Sequence, residues 1–239
     1  MVSATASPAS TGAQGLRIGG LTPLTSIDFP GELAAVVFCQ GCPWRCRYCQ
    51  NADLLPTRGG DLIPWVRVRD LLVRRRGLLD AVVFSGGEPT VQQALPAALA
   101  EVKALGFKVG LHTAGPYPRR LHRILPLLDW VGFDIKALPD DYPAITGVPR
   151  SGEGAWESLA LLLGAGINLE VRTTLMPGLD SPDYLARLMQ RLAEVGVQDQ
   201  VLQLCHTERS QDPALRSRLP ALPTVPTAGP LRQVSMRTG

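Results

Sequence analysis

LAAVVFCQGCPWRCRYCQ, residues 33–50, joins an apolar run to a loop dense in cysteine. Residues 33–38 have the composition of a strand buried on both faces, and such strands belong to parallel sheets. The loop that follows places Cys42, Cys46 and Cys49 in a C-x3-C-x2-C spacing. That spacing is too compact for a zinc ribbon, which needs two C-x2-C pairs separated by roughly a dozen residues or more. Three thiolates on one tight loop suit three irons of a [4Fe–4S] cluster, with the fourth iron left open to a substrate. Gly41 and Pro43 shape the wrap of the loop. A zinc knuckle is the alternative, and Cys39 would complete it as a fourth thiolate. Four protein thiolates would close the cluster, so the open-iron reading expects Cys39 to be a small buried residue at the strand end.

Outward from this stretch, short apolar runs alternate with helical patterns. Strands are predicted at 33–38, 81–85, 107–112, 130–135, 169–175 and 200–204, and helices at 64–76, 90–105, 118–127, 154–164 and 181–195. Several helices open on Ser, Thr or Pro, and Gly77, Gly106, Gly166 and Gly196 stop them. Strand–helix alternation predicts an α/β fold with a parallel sheet. Periodicity does not separate an open doubly wound sheet from a partial barrel. Both place their sites at the C-terminal ends of strands, where nearly every unusual polar residue of this chain falls. Residues 16–206 carry the strand–helix pattern. Residues 1–15, rich in Ser, Ala and Thr without a basic start or an apolar core, are predicted to be a disordered tail and not a signal peptide. Residues 207–239, with prolines at 213, 220, 223, 226 and 230, are predicted to be loosely ordered.

With 239 residues, 45% of them hydrophobic, the chain can bury a large core. A net charge of +3 argues for neither nucleic acid nor a membrane surface, and Arg74–Arg75–Arg76 reads as the solvated end of a helix. No apolar run approaches the ~20 residues of a spanning helix. Four of the five cysteines lie within eleven residues, which is no disulfide framework and fits a reducing cytoplasm.

The second predicted strand runs into Ser85-Gly86-Gly87-Glu88-Pro89. Two glycines at a strand end allow close approach to the backbone, and Glu88 offers an acceptor for an ammonium group. The third strand ends in His112-Thr113, the fourth in Asp134-Ile135-Lys136, and the fifth carries Arg172-Thr173-Thr174. Taken singly, a strand-end His is a satisfied core residue, and Asp134 and Lys136 share a face and form an ion pair. Their placement at successive strand ends points to one site.

The cysteine triplet followed one strand later by GGEP resembles the radical S-adenosylmethionine (SAM) enzymes. Residues 21–50, together with the SGGEP and FDIKA segments, are similar to the activating enzymes of glycyl radical enzymes, over about residues 16–206. Within that family the similarity is greatest to the anaerobic ribonucleoside-triphosphate reductase activating group, with the pyruvate formate-lyase activating enzymes close by. The resemblance implies a partial (β/α)6 TIM-like barrel, with Cys42, Cys46 and Cys49 holding a [4Fe–4S] cluster. Gly86, Gly87 and Glu88 would then match the motif that holds the methionyl amino group of SAM, and Asp134 and Lys136 the D-x-K pair that contacts it. Thr113 matches the second member of an Asp-Thr pair, whereas His112 departs from the first. Tyr48 would stack near the cluster or the adenine, and His206 would lie on the adenine side. The implied partners are a glycyl radical enzyme and a flavodoxin or ferredoxin as electron donor, with the cluster and SAM carrying the chemistry. Two alternatives stand beside this: a radical SAM enzyme acting on a small molecule, such as one making modified nucleobases, and a zinc-stabilised interaction module without catalysis.

Overall fold

The computed structural model describes residues 12–176, 180–216 and 231–237. Among them a single sheet runs in the order β1-β2-β3-β4-β5-β6-β7-β8. The strands are β1 (Ile18–Thr25), β2 (Ala34–Cys39), β3 (Ala81–Gly86), β4 (Lys108–Thr113), β5 (Trp130–Asp134), β6 (Asn168–Leu175), β7 (Asp199–Leu204) and β8 (Gln233–Arg237). The first pair is antiparallel and every later pair is parallel. The six predicted strands correspond to β2–β7, and the sheet stays open between β1 and β8. This is the partial barrel, extended by one strand at each edge.

The main helices are α1 (Trp65–Arg74), α2 (Leu95–Ala104), α3 (Pro118–Ile124), α4 (Tyr142–Thr146), α5 (Ser151–Ala165), α6 (Pro182–Glu194) and the short α7 (Pro213–Arg216). Sequence chemistry sets their ends. Ser181 accepts a hydrogen bond from the Tyr184 amide at 3.2 Å to cap α6, with Pro182 at its first position. Gly166, in the left-handed region at φ +63°, stops α5. The helix predicted from residue 90 begins later, at Leu95. Pro89 and Thr90 form a separate turn instead, in which Glu88 accepts from the Thr90 amide.

Each strand presents one face to the helices and one to the barrel interior. The outer face, with residues such as Val37, Phe84, Leu111 and Phe133, packs on Leu72, Leu99, Leu121 and Leu188 in the main core. The inner face changes along the strands. At its N-terminal half Ala34, Val36, Ala81, Val83 and Trp130 form an apolar plug with Phe29, which leans in from the β1–β2 connection with its ring 5.2 Å from that of Trp130. Two to four residues further along, the same face carries Ser85, His112, Asp134 and Arg172. Alternation by two thus turns an apolar floor into a polar cavity.

Both terminal stretches depart in part from the tails expected of them. The first eleven residues lie outside the described ones, but Ala13–Gly15 form a 3-10 turn with Ala13 fully buried. In the C-terminal stretch, 217–230 and 238–239 lie outside the described residues. Before them are the turn Thr207–Arg209 and α7, and β8 follows, parallel to β7. A five-residue edge strand after a proline-rich run has too little pattern to stand out. β1 is similarly hidden by Gly19, Gly20 and Pro23, which an edge strand tolerates. No helix of the described residues is long and apolar enough to cross a membrane.

Candidate functional site

The loop after β2 and the ends of β3–β8 enclose a cavity of about 410 Å³, the size of a small-molecule site. Cys42, Cys46, Cys49, Tyr48, Gly86, Gly87, Glu88, Thr113, Asp134 and Lys136 all line it. Cys39 does not. It is fully buried in the main core at the end of β2, as the open-iron reading expects.

The cysteine loop rests on a second apolar cluster that includes Trp44, Tyr142, Ile145 and Leu215. The Trp44 ring meets that of Tyr142 edge-on at 5.9 Å, and the Arg45 and Arg47 amides donate to the carbonyls of Thr146 (2.9 Å) and Ile145 (3.0 Å) in α4. The glycine pair joins this loop to β3. The amides of Gly87 and Glu88 donate to the carbonyls of Cys39 and Gly41, both at 2.9 Å. A Cβ at Gly86, where φ is +111°, would lie 2.5 Å from the Cys39 nitrogen, and one at Gly87 2.5 Å from the Gly41 oxygen. These two positions demand glycine because two strand ends meet there.

Glu88 is 2% exposed. Its Oε1 accepts from the Thr90 amide (3.0 Å), the Thr90 hydroxyl (2.6 Å) and the Thr113 hydroxyl (2.7 Å), and Oε2 from the Ala114 amide (3.1 Å). Burial raises its pKa despite these bonds. Oε1 is saturated, whereas Oε2 keeps capacity for a further donor. Across the cavity, Asp134 Oδ1 accepts from Arg172 Nε at 3.1 Å, and the Lys136 ammonium lies 3.8 Å from Oδ2 and 5.3 Å from the centre of the Tyr48 ring. Burial works against the Asp134 carboxylate, yet Arg172 and Lys136 outweigh it and hold the pKa below the ordinary value.

His112 Nε2 lies 2.9 Å from the carbonyl oxygen of Asp28 and Nδ1 lies 3.3 Å from the Ser85 hydroxyl. A carbonyl only accepts, so the proton sits on Nε2 and Nδ1 accepts from Ser85. Burial and the neighbouring Arg172 push the His112 pKa down to about 4, so the ring is neutral at pH 7. Of the residues that the sequence assigned to the cluster or to SAM, His206 is the one not among the lining of this cavity. It is partly exposed beside Glu208, with Nδ1 at 3.5 Å from the carboxylate. Gln203 lines the cavity although the sequence did not single it out, and Ser85 and Arg172, named at their strand ends without a role, line it too. The signal available was their strand-end, inward-facing register, which requires strand boundaries exact to one residue.

The donor set fits an iron–sulfur cluster with SAM. Among the described residues no three His, Cys, Asp or Glu converge on a single point. A cluster instead takes one thiolate per iron, so its ligands need not meet at a point. Burial, with Glu88 nearby, pushes the Cys42 thiol up to about 12, so loading iron must displace a proton. The Tyr48 hydroxyl is buried in the cavity wall with no hydrogen-bond partner. That state costs roughly 1–3 kcal/mol unless a bound group supplies the partner.

An open α/β barrel with cysteines, a glycine pair and paired charges at its strand ends defines an enzyme built to hold a reactive cofactor. The sequence model of the radical SAM superfamily matches residues 36–192, and the chain belongs to that superfamily. It is a radical SAM enzyme, and members of the superfamily use a [4Fe–4S] cluster and SAM. The pyruvate formate-lyase-activating enzyme of Clostridium pasteurianum is 32% identical over 182 residues, which cover 72% of this chain and 74% of the relative. The pyruvate formate-lyase 1-activating enzyme of Escherichia coli K12 is 27% identical over 190 residues, covering 75% of this chain and 76% of that one. Among solved structures, SuiB of Streptococcus suis bound to the precursor peptide SuiA superposes with a TM-score of 0.60 at 15% identity. The match covers 74% of this chain and 40% of SuiB, and shows the shared fold.

Proposed function

We propose that this chain is the activating enzyme of a glycyl radical enzyme, and that its target is an anaerobic ribonucleoside-triphosphate reductase. The observation that carries the reading is the meeting of Cys42, Cys46 and Cys49 with Glu88, Asp134 and Lys136 in one cavity. The activating function of the relatives supports the first half. The second half rests on the resemblance of the sequence, over about residues 16–206, to the reductase activating group.

In this reading the three cysteines hold the cluster. Gly86, Gly87, Thr113 and Tyr48 form walls around SAM. Glu88 Oε2 accepts from its amino group, while Asp134 holds Lys136 and Arg172 in place as cations that complement its carboxylate. When bound and reduced by a flavodoxin or ferredoxin, the pair supplies the radical that takes a Cα hydrogen from a partner glycine. The chain's own task is position and exclusion of water. The unclosed edge between β1 and β8 suits a substrate that arrives as a loop of a protein.

The test is electron paramagnetic resonance of the reductase from the same organism after incubation with the reduced, reconstituted enzyme and SAM. A glycine-centred doublet is expected, absent when the reductase glycine is replaced by Ala. No doublet on any glycyl radical enzyme of that organism, with a small molecule stimulating 5′-deoxyadenosine formation, would overturn the reading.

A further inference from the structure

Arg47 sits between two of the three cysteines, and only Arg47 and Tyr48 separate Cys46 from Cys49. Its backbone is held from two sides. On one side its amide donates to the Ile145 carbonyl of α4 at 3.0 Å. On the other its carbonyl accepts from the Ser210 hydroxyl at 2.7 Å and from the Asp212 amide at 2.9 Å. Its guanidinium meets Asp212 Oδ2 through Nε at 2.7 Å and Nη2 at 2.6 Å. These partners lie 163 and 165 residues further along the chain.

The segment that reaches back is itself well fastened. Ser210 is fully buried, and its carbonyl accepts from Arg216 Nε at 2.7 Å. Asp212 Oδ1 accepts from the Ala214 amide at 2.9 Å, and Leu215 packs into the apolar cluster that holds Trp44, Cys46 and Tyr48. A segment that only continued the chain past β7 would need none of these bonds to the cysteine loop.

We propose that residues 207–216 are a strap that fixes the spacing of the Cys46 and Cys49 thiolates, with Ser210 and Asp212 as positioning residues acting through Arg47. This rests on the reading that the three cysteines hold the cluster. A loop of four residues bearing two ligands has few internal restraints. Clamping its second residue at amide, carbonyl and side chain removes most of its freedom before iron binds. The strap therefore slows cluster loss without touching cluster or SAM.

The experiment compares the wild type with Ser210→Ala/Asp212→Ala after anaerobic reconstitution, following iron release to a chelator by loss of the visible charge-transfer absorbance. Removing two hydrogen bonds and an ion pair should speed release roughly ten- to thirtyfold. Glu194→Ala, which removes a comparable exposed ion pair on α6, should leave the rate unchanged. In the metal-free protein, hydrogen exchange of a peptide spanning 45–49 should lose protection in the double variant and keep it in the control. Asp212→Asn retains the acceptor for the Ala214 amide but loses the charge pairing with Arg47, and should give an intermediate rate. It serves as the decisive variant if circular dichroism shows that the double variant does not fold. Wild-type iron release and wild-type protection in a folded strap variant would overturn the strap. A wild-type protein that takes up no cluster, with exchange in 45–49 still sensitive to the strap, would overturn the cluster assignment instead.

Discussion

Glu88 shows how a single residue serves both the fold and the site. Four hydrogen bonds fix its carboxylate, and one oxygen keeps room for another donor. Glu88→Gln cannot keep both roles, because with three donors on Oε1 the amide nitrogen takes the Oε2 position and faces the Ala114 amide. The variant should bind SAM roughly ten- to a hundredfold more weakly in isothermal titration, the scale of one charge-assisted hydrogen bond. It should also melt about 2–8 °C lower, from one unsatisfied buried donor in a chain of this length. Weaker binding without a thermal shift would place Glu88 in the site alone. At this scale the sequence was informative where chemistry is local: the cysteines, Glu88, Asp134 and Lys136 lie together as their strand-end positions implied. It placed Arg172 and His112 at strand ends but gave them no role, because their roles come from neighbours on other strands, and it suggested for His206 a place outside the lining of this cavity.

Among the elements, the connection from β1 to β2 has an unexpected task. Phe29 leaves the loop to seal the barrel floor against Trp130, in space that Gly110 leaves open: a Cβ there would lie 2.9 Å from the Phe29 ring. Asp28 beside it is tied through its carbonyl to His112, so one hydrogen bond joins the plug to the cavity wall. Phe29→Ala should cost about 3–5 kcal/mol in urea unfolding, the usual loss for a buried aromatic. Phe29→Leu should recover more than half of that. Equal losses in both would mean that the ring itself, not its volume, is what the floor needs. The six inner strands, β2–β7, were readable because each is a short apolar run between glycine and helix signals. The two edge strands were not, since an edge tolerates Gly and Pro and lacks a second buried face to enforce a pattern. The turn at Pro89–Val91 was read as the start of the helix from residue 90 because Glu88 caps it locally, accepting from the Thr90 amide two residues on, which is the signature of a helix start.

For the whole molecule, the buried neutral histidine sets an acid limb. Unfolded, His112 takes a proton near pH 6.5, whereas folded it resists until about 4. The unfolded state therefore binds the extra proton in between, and stability falls as pH drops from about 6.5 to 4, by up to ~3 kcal/mol. Glu88, with its raised pKa, works in the opposite sense, and Asp134, with a lowered one, contributes its loss only below the ordinary carboxylate range. Comparison with His112→Gln isolates the histidine: its stability, measured by urea titration across this window, should fall by less than that of the wild type. Parallel curves would mean that the ring titrates alike in the folded and unfolded chain. A different consequence comes from the strand order. Because every strand pairs with the one before it, the sheet can be laid down in the order in which the chain is synthesised. Arg47 emerges 165 residues before Asp212. At ~5–20 residues per second, roughly ten to thirty seconds separate the two. For that interval the cysteine loop has been made and the segment that clasps it has not, so the clasp is among the last contacts this loop can form.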